Sequence, residues 1–274
     1  IRRSASFPPT KSAVQATRNL TEYMTQHQFA LNLSPILLLD EQLGVLRESL
    51  VSHTDANFGD KSFYSAASFW NGALVENQDG KIGVTTVSCP ESELFGLCEG
   101  TRQHLGLEAT LADAGAAVFS EHVDESESVV GAFSSILNDS SPAITIYTAG
   151  GQTKRSRSIH HGALWLKNAV RRRGRYNTRL IGKVGTNLNG ANMGTKGLSG
   201  ANFLKEAALL GAVELEISKP IKSLEDVHEC VKANFGRIWA NRAVRGTPPP
   251  GLTRILDPEE LMATWASRYP NLGS

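Results

Sequence analysis

The chain has 274 residues, of which 41% are hydrophobic and 20% charged, and its formal net charge is +1. This is the composition of a globular protein that can bury a sizeable core, and it excludes a fibrous or disordered chain. Three cysteines without a close pair exclude a disulfide scaffold and indicate an intracellular, reducing compartment. No apolar run approaches the length of a membrane span, so no transmembrane segment is expected.

The N-terminus is basic. Residues 1–20 contain Arg2, Arg3, Lys11 and Arg18, several Ser and Thr, and no acid. This composition is typical of an organelle transit segment, which makes the mitochondrial matrix one expected location. It equally suits a basic arm that reaches across a nucleic acid or a neighbouring subunit, or a frayed terminus. The sequence leaves these three interpretations open.

The region before position 88 is predicted to be a helix followed by a hairpin. After Pro35, leucines at positions 39, 43, 46 and 50 recur at intervals of three and four residues, which predicts one face of an amphipathic helix. Residues 61–80 are rich in aromatic and small side chains and end in a turn signal. We therefore predict a hairpin between this segment and 82–88.

From position 82 onward, short β-rich runs alternate with helical stripes. We predict strands over 82–87, 116–120 and 143–147, and helices that begin at Pro90 and Asp124. The first helix should bury Leu94, Leu97, Cys98, Thr101 and Leu105, and the second Val130, Phe133, Ile136 and Leu137. This alternation predicts an α/β fold with a mostly parallel sheet, flanking helices, and helical N- and C-terminal extensions.

The second half of the chain is predicted to continue with helices, a long loop and two further strands, the second of which alternates Val213, Leu215 and Ile217 with two glutamates. The helical stripe is formed by Ile159, Ala163, Leu166 and Val170. A strand is expected over 178–184, a flexible loop rich in Gly and Asn over 185–200, and helices that start at Ser199 and Ser223. We divide the chain into a basic arm and helix over 1–34, an α/β core over 35–244, and a Pro-rich linker with a final helix over 245–274.

Charge is distributed in two opposite blocks. Residues 140–205 hold twelve Lys or Arg and no acid, whereas residues 81–139 hold ten acids against Lys81 and Arg102. An uncompensated basic stretch repels itself unless an anion lies against it. The acidic block is expected to pair with the basic one, either within the chain or across a subunit contact. Two solvated faces of different charge are the simpler interpretation.

Known chemical motifs are absent from the sequence. Neither Gly-rich segment, 150–155 or 190–196, matches a phosphate-binding loop that ends in Gly-Lys-Ser/Thr. His160 and His161 point to different faces of one helix, so they cannot hold one metal ion together. Cys98 lies on an apolar stripe and is expected in the core. The sequence therefore assigns no catalytic residue, no metal site and no cofactor.

Three segments resemble the later part of the cofactor domain of medium-chain dehydrogenases. They are Leu-Ala-Asp-Ala-Gly-Ala-Ala-Val-Phe-Ser over 111–120, Ala-Ile-Thr-Ile-Tyr-Thr-Ala-Gly-Gly over 143–151, and the segment 163–185. The resemblance covers about a quarter of the chain and lacks the glycine fingerprint and zinc-binding cysteines of that family. It implies a nucleotide-binding Rossmann-like enzyme, or a domain of that kind which has lost its cofactor. Apart from the resemblance, the Gly-rich turn 148–155 after the predicted strand 143–147 suits either an anion at a helix N-terminus or a plain strand-to-helix turn.

The basic stretch carries the favoured prediction of function. Lys and Arg neutralise phosphates, and Trp165 and Tyr176 offer flat faces on which bases can stack. We predict a structural subunit of a larger assembly, of the ribosomal, nucleocapsid or organelle-complex kind, that binds RNA or another polyanion and other protein subunits. The predicted polyanion-binding residues are Lys154, Arg155, Arg157, His161, Trp165, Lys167, Arg171, Arg172, Arg173, Arg175, Arg179, Lys183 and Lys196.

Overall fold

A five-stranded mixed sheet forms the centre of the protein in a computed structural model, which describes residues 15, 18, 29–33, 36, 38–40, 45–114, 133–149, 160–170, 179–217, 222–244 and 252–254. Its strands are β4 (Ser49–Ala56), β5 (Phe63–Trp70), β6 (Ala73–Lys81), β7 (Phe133–Asn138) and β8 (Arg179–Lys183), in the order β6-β5-β4-β7-β8. The pairs β6-β5 and β5-β4 are antiparallel, whereas β4-β7 and β7-β8 are parallel. The predicted α/β class is confirmed, with a sheet that is half parallel.

Two smaller sheets and seven helices surround this centre within the described residues. Strand β1 (Phe29–Leu31) pairs with β9 (Ala212–Glu214), and β2 (Leu38–Asp40) lies between β3 (Val45–Arg47) and β10 (Leu252–Arg254). The helices are α1 (Cys89–Asp113), α2 (Ser141–Ala149), α3 (His160–Ala169), α4 (Asn192–Thr195), α5 (Gly200–Leu209), α6 (Leu224–Ala233) and α7 (Phe235–Val244). None of the described helices is long and apolar enough to cross a membrane.

Helix α1 covers one face of the sheet. Its predicted stripe is confirmed at Leu94, Leu97, Cys98 and Thr101, which are buried, whereas Leu105 is only partly buried. Glycines let the helix backbone approach β4 closely: a Cβ at Gly100 would lie 2.2 Å from Thr54 Cγ2, and one at Gly96 would lie 3.0 Å from Ala56 Cβ. Close approach at these two positions fixes where the first turns of α1 lie against the end of β4.

A chain of buried polar groups also joins α1 to the sheet. His104 contacts Ser52 Oγ through Nδ1 at 2.7 Å and Ser134 Oγ through Nε2 at 2.8 Å. The Ser134 hydroxyl donates to Glu108 Oε1 at 2.6 Å, and Ser52 also bonds Ser68. Each of these groups is withdrawn from water, so each needs the partner that the network supplies.

Several predicted elements are wrong, and the central strand β7 shows why. Phe133, Ile136 and Leu137 belong to this strand and not to a helix that begins at Asp124. All six residues of β7 are buried because it lies between two parallel neighbours. Such a strand has no alternating polar face, so its apolar spacing can be taken for a helical stripe.

Strands also replace the helix predicted over the leucines at 39–50, where Leu46 lies in β3 and Leu50 in β4. The hairpin is formed by β5 with β6 over 73–81, so the second strand starts earlier than predicted and 82–87 is irregular. Conversely, residues 143–147 form part of helix α2 and not a strand. Ser140 starts this helix by accepting a hydrogen bond from the Ala143 N–H at 3.3 Å, with Pro142 in its first turn.

The dehydrogenase resemblance loses its structural basis at the same place. It required a strand before Gly150, and the residues there are helical. Most of the turn 148–155, one predicted site for an anion, lies outside the described residues, and the predicted strand 116–120 and the final helix lie outside them entirely. Strand β8 and the helices that follow Ser199 and Ser223 agree with prediction. Of the predicted α3 stripe, Ala163, Leu166 and Val170 are buried, and Ile159 lies outside the described residues.

The close approach of α1 to β4 leads to a testable expectation. We expect Gly100→Ala to lower the free energy of unfolding by about 1–3 kcal/mol, because the new methyl group overlaps the Thr54 side chain. Gly106→Ala is the matched control on the same helix, where a Cβ meets nothing within 4 Å. There the change should stabilise by up to about 1 kcal/mol. Urea denaturation measures both, and equal effects would contradict the packing described.

Candidate metal-binding site

Three carboxylates meet at one end of the central sheet. Strands β4 and β7 are parallel and in register, with Thr54 opposite Asn138, so the next residues of both, Asp55 and Asp139, lie at the same edge. Glu93 enters from the second turn of α1. One oxygen from each of the three carboxylates lies within 4.8 Å of the other two. We call Asp55, Glu93 and Asp139 the carboxylate cluster.

Asp55 is the most deeply placed member, with a side chain only 2% exposed. Its Oδ2 accepts a hydrogen bond from the Thr195 hydroxyl, and its Oδ1 lies 3.6 Å from the ammonium nitrogen of Lys196. Burial raises the pKa of Asp55, while Thr195 and Lys196 act in the opposite direction. Thr195 and Lys196, neighbouring residues of a single turn, therefore favour the ionised form of Asp55 but do not cancel the effect of burial on its pKa.

Glu93 is held by hydrogen bonds to the ends of both strands. Its Oε2 accepts from the backbone N–H of Ala56 at 3.1 Å and from Asn138 Nδ2 at 3.2 Å. Burial, and then the negative charges of Asp55 and Asp139, raise the pKa of Glu93 to about 8. Without a bound cation, the protonated form of Glu93 is therefore favoured at neutral pH, because the carboxyl is largely buried and two like charges lie close to it.

The segment 185–196 brings Thr195 and Lys196 to the cluster, and it is packed rather than the flexible loop that we predicted. Asn189 Nδ2 donates to the Thr54 carbonyl at 2.9 Å, and the Gly190 N–H donates to His53 Nδ1 at 3.0 Å. His53 is fully buried, which lowers its pKa to about 4 and keeps it a neutral acceptor. The Gly and Asn residues of segment 185–196 allow close backbone approach and side-chain caps of the backbone. Mobile loops are rich in the same residues, so the sequence pattern did not distinguish the two.

The donor set suits a hard divalent cation such as Mg²⁺ or Mn²⁺. Carboxylate oxygens are the ligands that these ions prefer, and they bind with one or two carboxylates plus water or phosphate oxygens. No cysteine or histidine belongs to the cluster, so its chemistry does not favour zinc. A cation would also remove the repulsion that raises the pKa of Glu93. The residues present therefore fit such an ion.

The predicted polyanion-binding residues are placed in two groups. Lys196 lies at the carboxylate cluster, and Lys183, at the end of β8, donates to Ser141 Oγ at 2.5 Å beside the start of α2. His161, Trp165 and Lys167 lie on α3. Of Arg179 only the backbone, in β8, is described. The remaining positions lie outside the described residues, namely Lys154, Arg155, Arg157, Arg171, Arg172, Arg173 and Arg175.

Trp165 lines a groove between α1 and α3 with a volume of about 550 Å³. The groove is bordered by Lys81 and Arg102, and the Arg102 guanidinium lies 5.0 Å from the centre of the Trp165 ring. This cation–π contact occupies a face that the sequence analysis left for a nucleic-acid base. Trp165 is partly buried against the core, so its role in stacking stays a prediction.

The acidic block does not form a single face among the described residues. Glu93 and Asp139 enter the carboxylate cluster, while Glu108 is buried in the His104 network. Glu91 is buried and accepts a hydrogen bond from the Val87 N–H at 2.7 Å. Each of these acids has a local structural partner, which is why counting charge along the sequence misplaced them. The predicted pairing of two charged faces stays untested.

The sequence analysis missed the carboxylate cluster entirely. The overlooked signal is an acid that directly follows a β-rich run, once as Val51-Ser-His-Thr-Asp55 and once as Ile136-Leu-Asn-Asp139. Carboxyl ends of parallel strands are where α/β proteins place their functional side chains. The run that starts at Ile136 was assigned to a helix and the run 51–54 to no strand, which removed that signal.

Comparison with known proteins finds structural likeness without family membership. No protein-family model matches the chain, and no curated protein matches it. Among solved structures, the N-terminal RNase H domain of Rv2228c from Mycobacterium tuberculosis is 15% identical, with a TM-score of 0.36 over 58% of this chain and 96% of that one. RNase H1 from Halobacterium salinarum NRC-1 is 14% identical, with a TM-score of 0.35 over 52% and 90%. At these values the likeness supports no statement about what the chain binds.

Proposed function

We propose that this chain is a divalent-metal-dependent phosphodiesterase that acts on nucleic acid. The observation that carries the proposal is the convergence of Asp55, Glu93 and Asp139 from three separate elements to within 4.8 Å. Bringing three carboxylates together in a partly buried place costs folding free energy, and proteins retain such strain mainly where function needs it.

In this proposal, three carboxylates bind the cation and neighbouring groups orient those carboxylates. Asp55, Glu93 and Asp139 would hold the cation, which supplies a Lewis acid for the phosphate and lowers the pKa of a water molecule. Ala56 N–H and Asn138 orient Glu93, and Thr195 orients Asp55. These fixed hydrogen bonds keep the carboxylates in place before the substrate arrives, so little reorganisation is needed during the reaction.

Positive charge near the cluster supports a polyanionic substrate. Lys196 lies against Asp55, and Lys183 ends the strand next to Asn138. The sequence between 140 and 205 contains twelve basic residues and no acid, so more positive charge lies close along the chain. Contacts of this kind bind the phosphate backbone without selecting a sequence. RNA remains the favoured polyanion.

A structural subunit is the second candidate function. Helix α6 and the first residue of α7 carry an apolar stripe that is exposed: Leu224 is 87% exposed, Phe235 is 55% exposed, and Val227 and Val231 are exposed as well. Phe235 stacks on Trp239, but the four side chains stay exposed among the described residues, and an exposed apolar stripe of this kind favours a protein partner. An assembly subunit predicts RNA binding that falls by orders of magnitude between roughly 50 and 200 mM salt, and no cleavage.

One experiment separates the two candidates. Purified protein is incubated with labelled RNA, RNA–DNA hybrid and DNA in Mg²⁺, in Mn²⁺ and in excess chelator, while light scattering measures its mass. The phosphodiesterase proposal expects cleavage with either ion and none with chelator. Salt-sensitive binding without cleavage under every condition, by a protein that forms large particles, would overturn it in favour of the structural subunit.

A further inference from the structure

Lys196 holds a special position in the candidate site. Its ammonium lies 3.6 Å from Oδ1 of the buried Asp55 and donates a hydrogen bond to Asn192 Oδ1. The side chain is 42% exposed, so the same ammonium faces solvent on its other side. A cation that touches a buried carboxylate and also faces solvent can contact a substrate without leaving its place.

A fourth carboxylate approaches the same ammonium from helix α5. Glu206 is buried to 93%, being 7% exposed, and its Oε2 has no hydrogen-bond partner among the described residues. The Asn192 side chain hydrogen-bonds this carboxyl, and the charge of Lys196 acts on both Glu206 and Asp55. Lys196 is therefore the positive charge shared by two carboxylates, one of which has an unsatisfied buried oxygen.

The short helix α4 keeps Lys196 in this position. Gly194 has no room for a side chain, because a Cβ there would lie 2.4 Å from Ser65 Oγ on β5. Asn192 Nδ2 donates to the Thr186 carbonyl at 2.6 Å, and Asn57 Nδ2 donates to the Thr195 carbonyl at 3.3 Å. Contacts on three sides hold the turn, so the ammonium is placed by the fold and not by a free side chain.

We propose that the Lys196 ammonium is a built-in second cation of this site. The carboxylate cluster then binds one divalent ion, and Lys196 supplies the second positive charge, which faces a phosphate oxygen of the substrate. The inference rests on the proposed function. A divalent ion is repelled by an ammonium at close range, so Lys196 directs the ion to the side of Asp55 that faces Glu93 and Asp139.

Removing the positive charge of Lys196 should open a second metal-binding position where its ammonium lies. In Lys196→Met, the oxygens of Asp55, Asn192 and Glu206 lose their cation and become free to bind a second metal ion. We expect wild type to bind one Mn²⁺ and Lys196→Met to bind two, as counted by electron paramagnetic resonance of free Mn²⁺. Cleavage should slow by about 10²–10³-fold in kcat, the effect of losing one preorganised charge at a reacting phosphate.

Matched variants separate this role from a structural one. Lys205→Met removes an exposed charge on α5 that also acts on Glu206 without touching Asp55, and it should keep one Mn²⁺ and the wild-type rate. Lys196→Arg keeps the charge and should keep one Mn²⁺. Thermal denaturation checks that each variant is folded, and Lys196→Gln replaces Lys196→Met if the latter does not fold.

The possible outcomes separate a failure of the role assigned to Lys196 from a failure of the proposed phosphodiesterase function. If wild type binds Mn²⁺ and cleaves nucleic acid, while a folded, neutral Lys196 variant has the same Mn²⁺ count and the same kcat, only the role of Lys196 is overturned. If wild type binds no Mn²⁺ and cleaves nothing, the metal-dependent function fails and this inference fails with it.

Discussion

Asp55→Asn is expected to abolish metal-dependent cleavage, with kcat/KM falling by roughly 10³-fold or more. Asp55 contacts both Thr195 and Lys196 and is the only fully buried carboxylate of the cluster. Its replacement removes one charged ligand, and several kcal/mol of charge stabilisation at the metal correspond to about three powers of ten in rate. Initial rates on labelled RNA at saturating Mg²⁺ measure the change.

Asp60→Asn is the control for this prediction. Asp60 lies in the exposed turn that follows β4, five residues after Asp55, and is not part of the carboxylate cluster. The same change of chemistry there should leave kcat/KM within about twofold of wild type, as expected for an isolated surface carboxylate. A rate for Asp55→Asn close to that of Asp60→Asn would count against the assigned site.

Glu93→Gln is expected to stabilise the metal-free protein at high pH. The pKa of Glu93 is raised from 4.5 to about 8, so the folded state binds a proton between these values that the unfolded state releases. Stability of the wild type should therefore decrease as pH rises from about 4.5 to 8. Glu93→Gln has no carboxyl to ionise at this position, so its free energy of unfolding should exceed that of wild type by roughly 2 kcal/mol at pH 9. The difference between the two proteins should vanish near pH 4.

Metal reverses the order of stability in the same experiment. Mg²⁺ should raise the Tm of wild type at pH 9, because it binds the folded state alone, and should have little effect on Glu93→Gln. Glu99→Gln, on the same helix and paired with Arg102 at the surface, is the control and should follow wild type at every pH. A wild-type Tm that rises from pH 5 to 8 without metal would refute the account of Glu93.

Helix α1 was predictable because its signals are local. Pro90 marks the first turn, and Leu94, Leu97 and Cys98 repeat at helical spacing, so neighbours in sequence determine the element. The helix that starts at Ser223 was predictable for the same reason: its hydroxyl and the Asp226 carboxylate form a capping box. In both cases the short-range pattern and the observed start of the helix agree, although the apolar stripe that follows Ser223 stays exposed.

Strands β4 and β7 were not predictable from such patterns. Their residues are buried on both faces by helices and loops that are distant in sequence, so no polar alternation marks them. The carboxylate cluster depends on the same long-range pairing, because Asp55 meets Asp139 only when β4 and β7 lie side by side. Lys196 was identified as a basic residue, but its contact with Asp55 follows from the packing of α4.

The most direct test of the central claim is anomalous diffraction from crystals soaked in Mn²⁺. The account predicts one anomalous peak between the carboxylates of Asp55, Glu93 and Asp139, at roughly 2–2.3 Å from one oxygen of at least two of them. The Lys196 ammonium should remain beside Asp55, on the side away from the peak. Strong Mn²⁺ peaks elsewhere on the molecule, with none between these three carboxylates, would contradict the account.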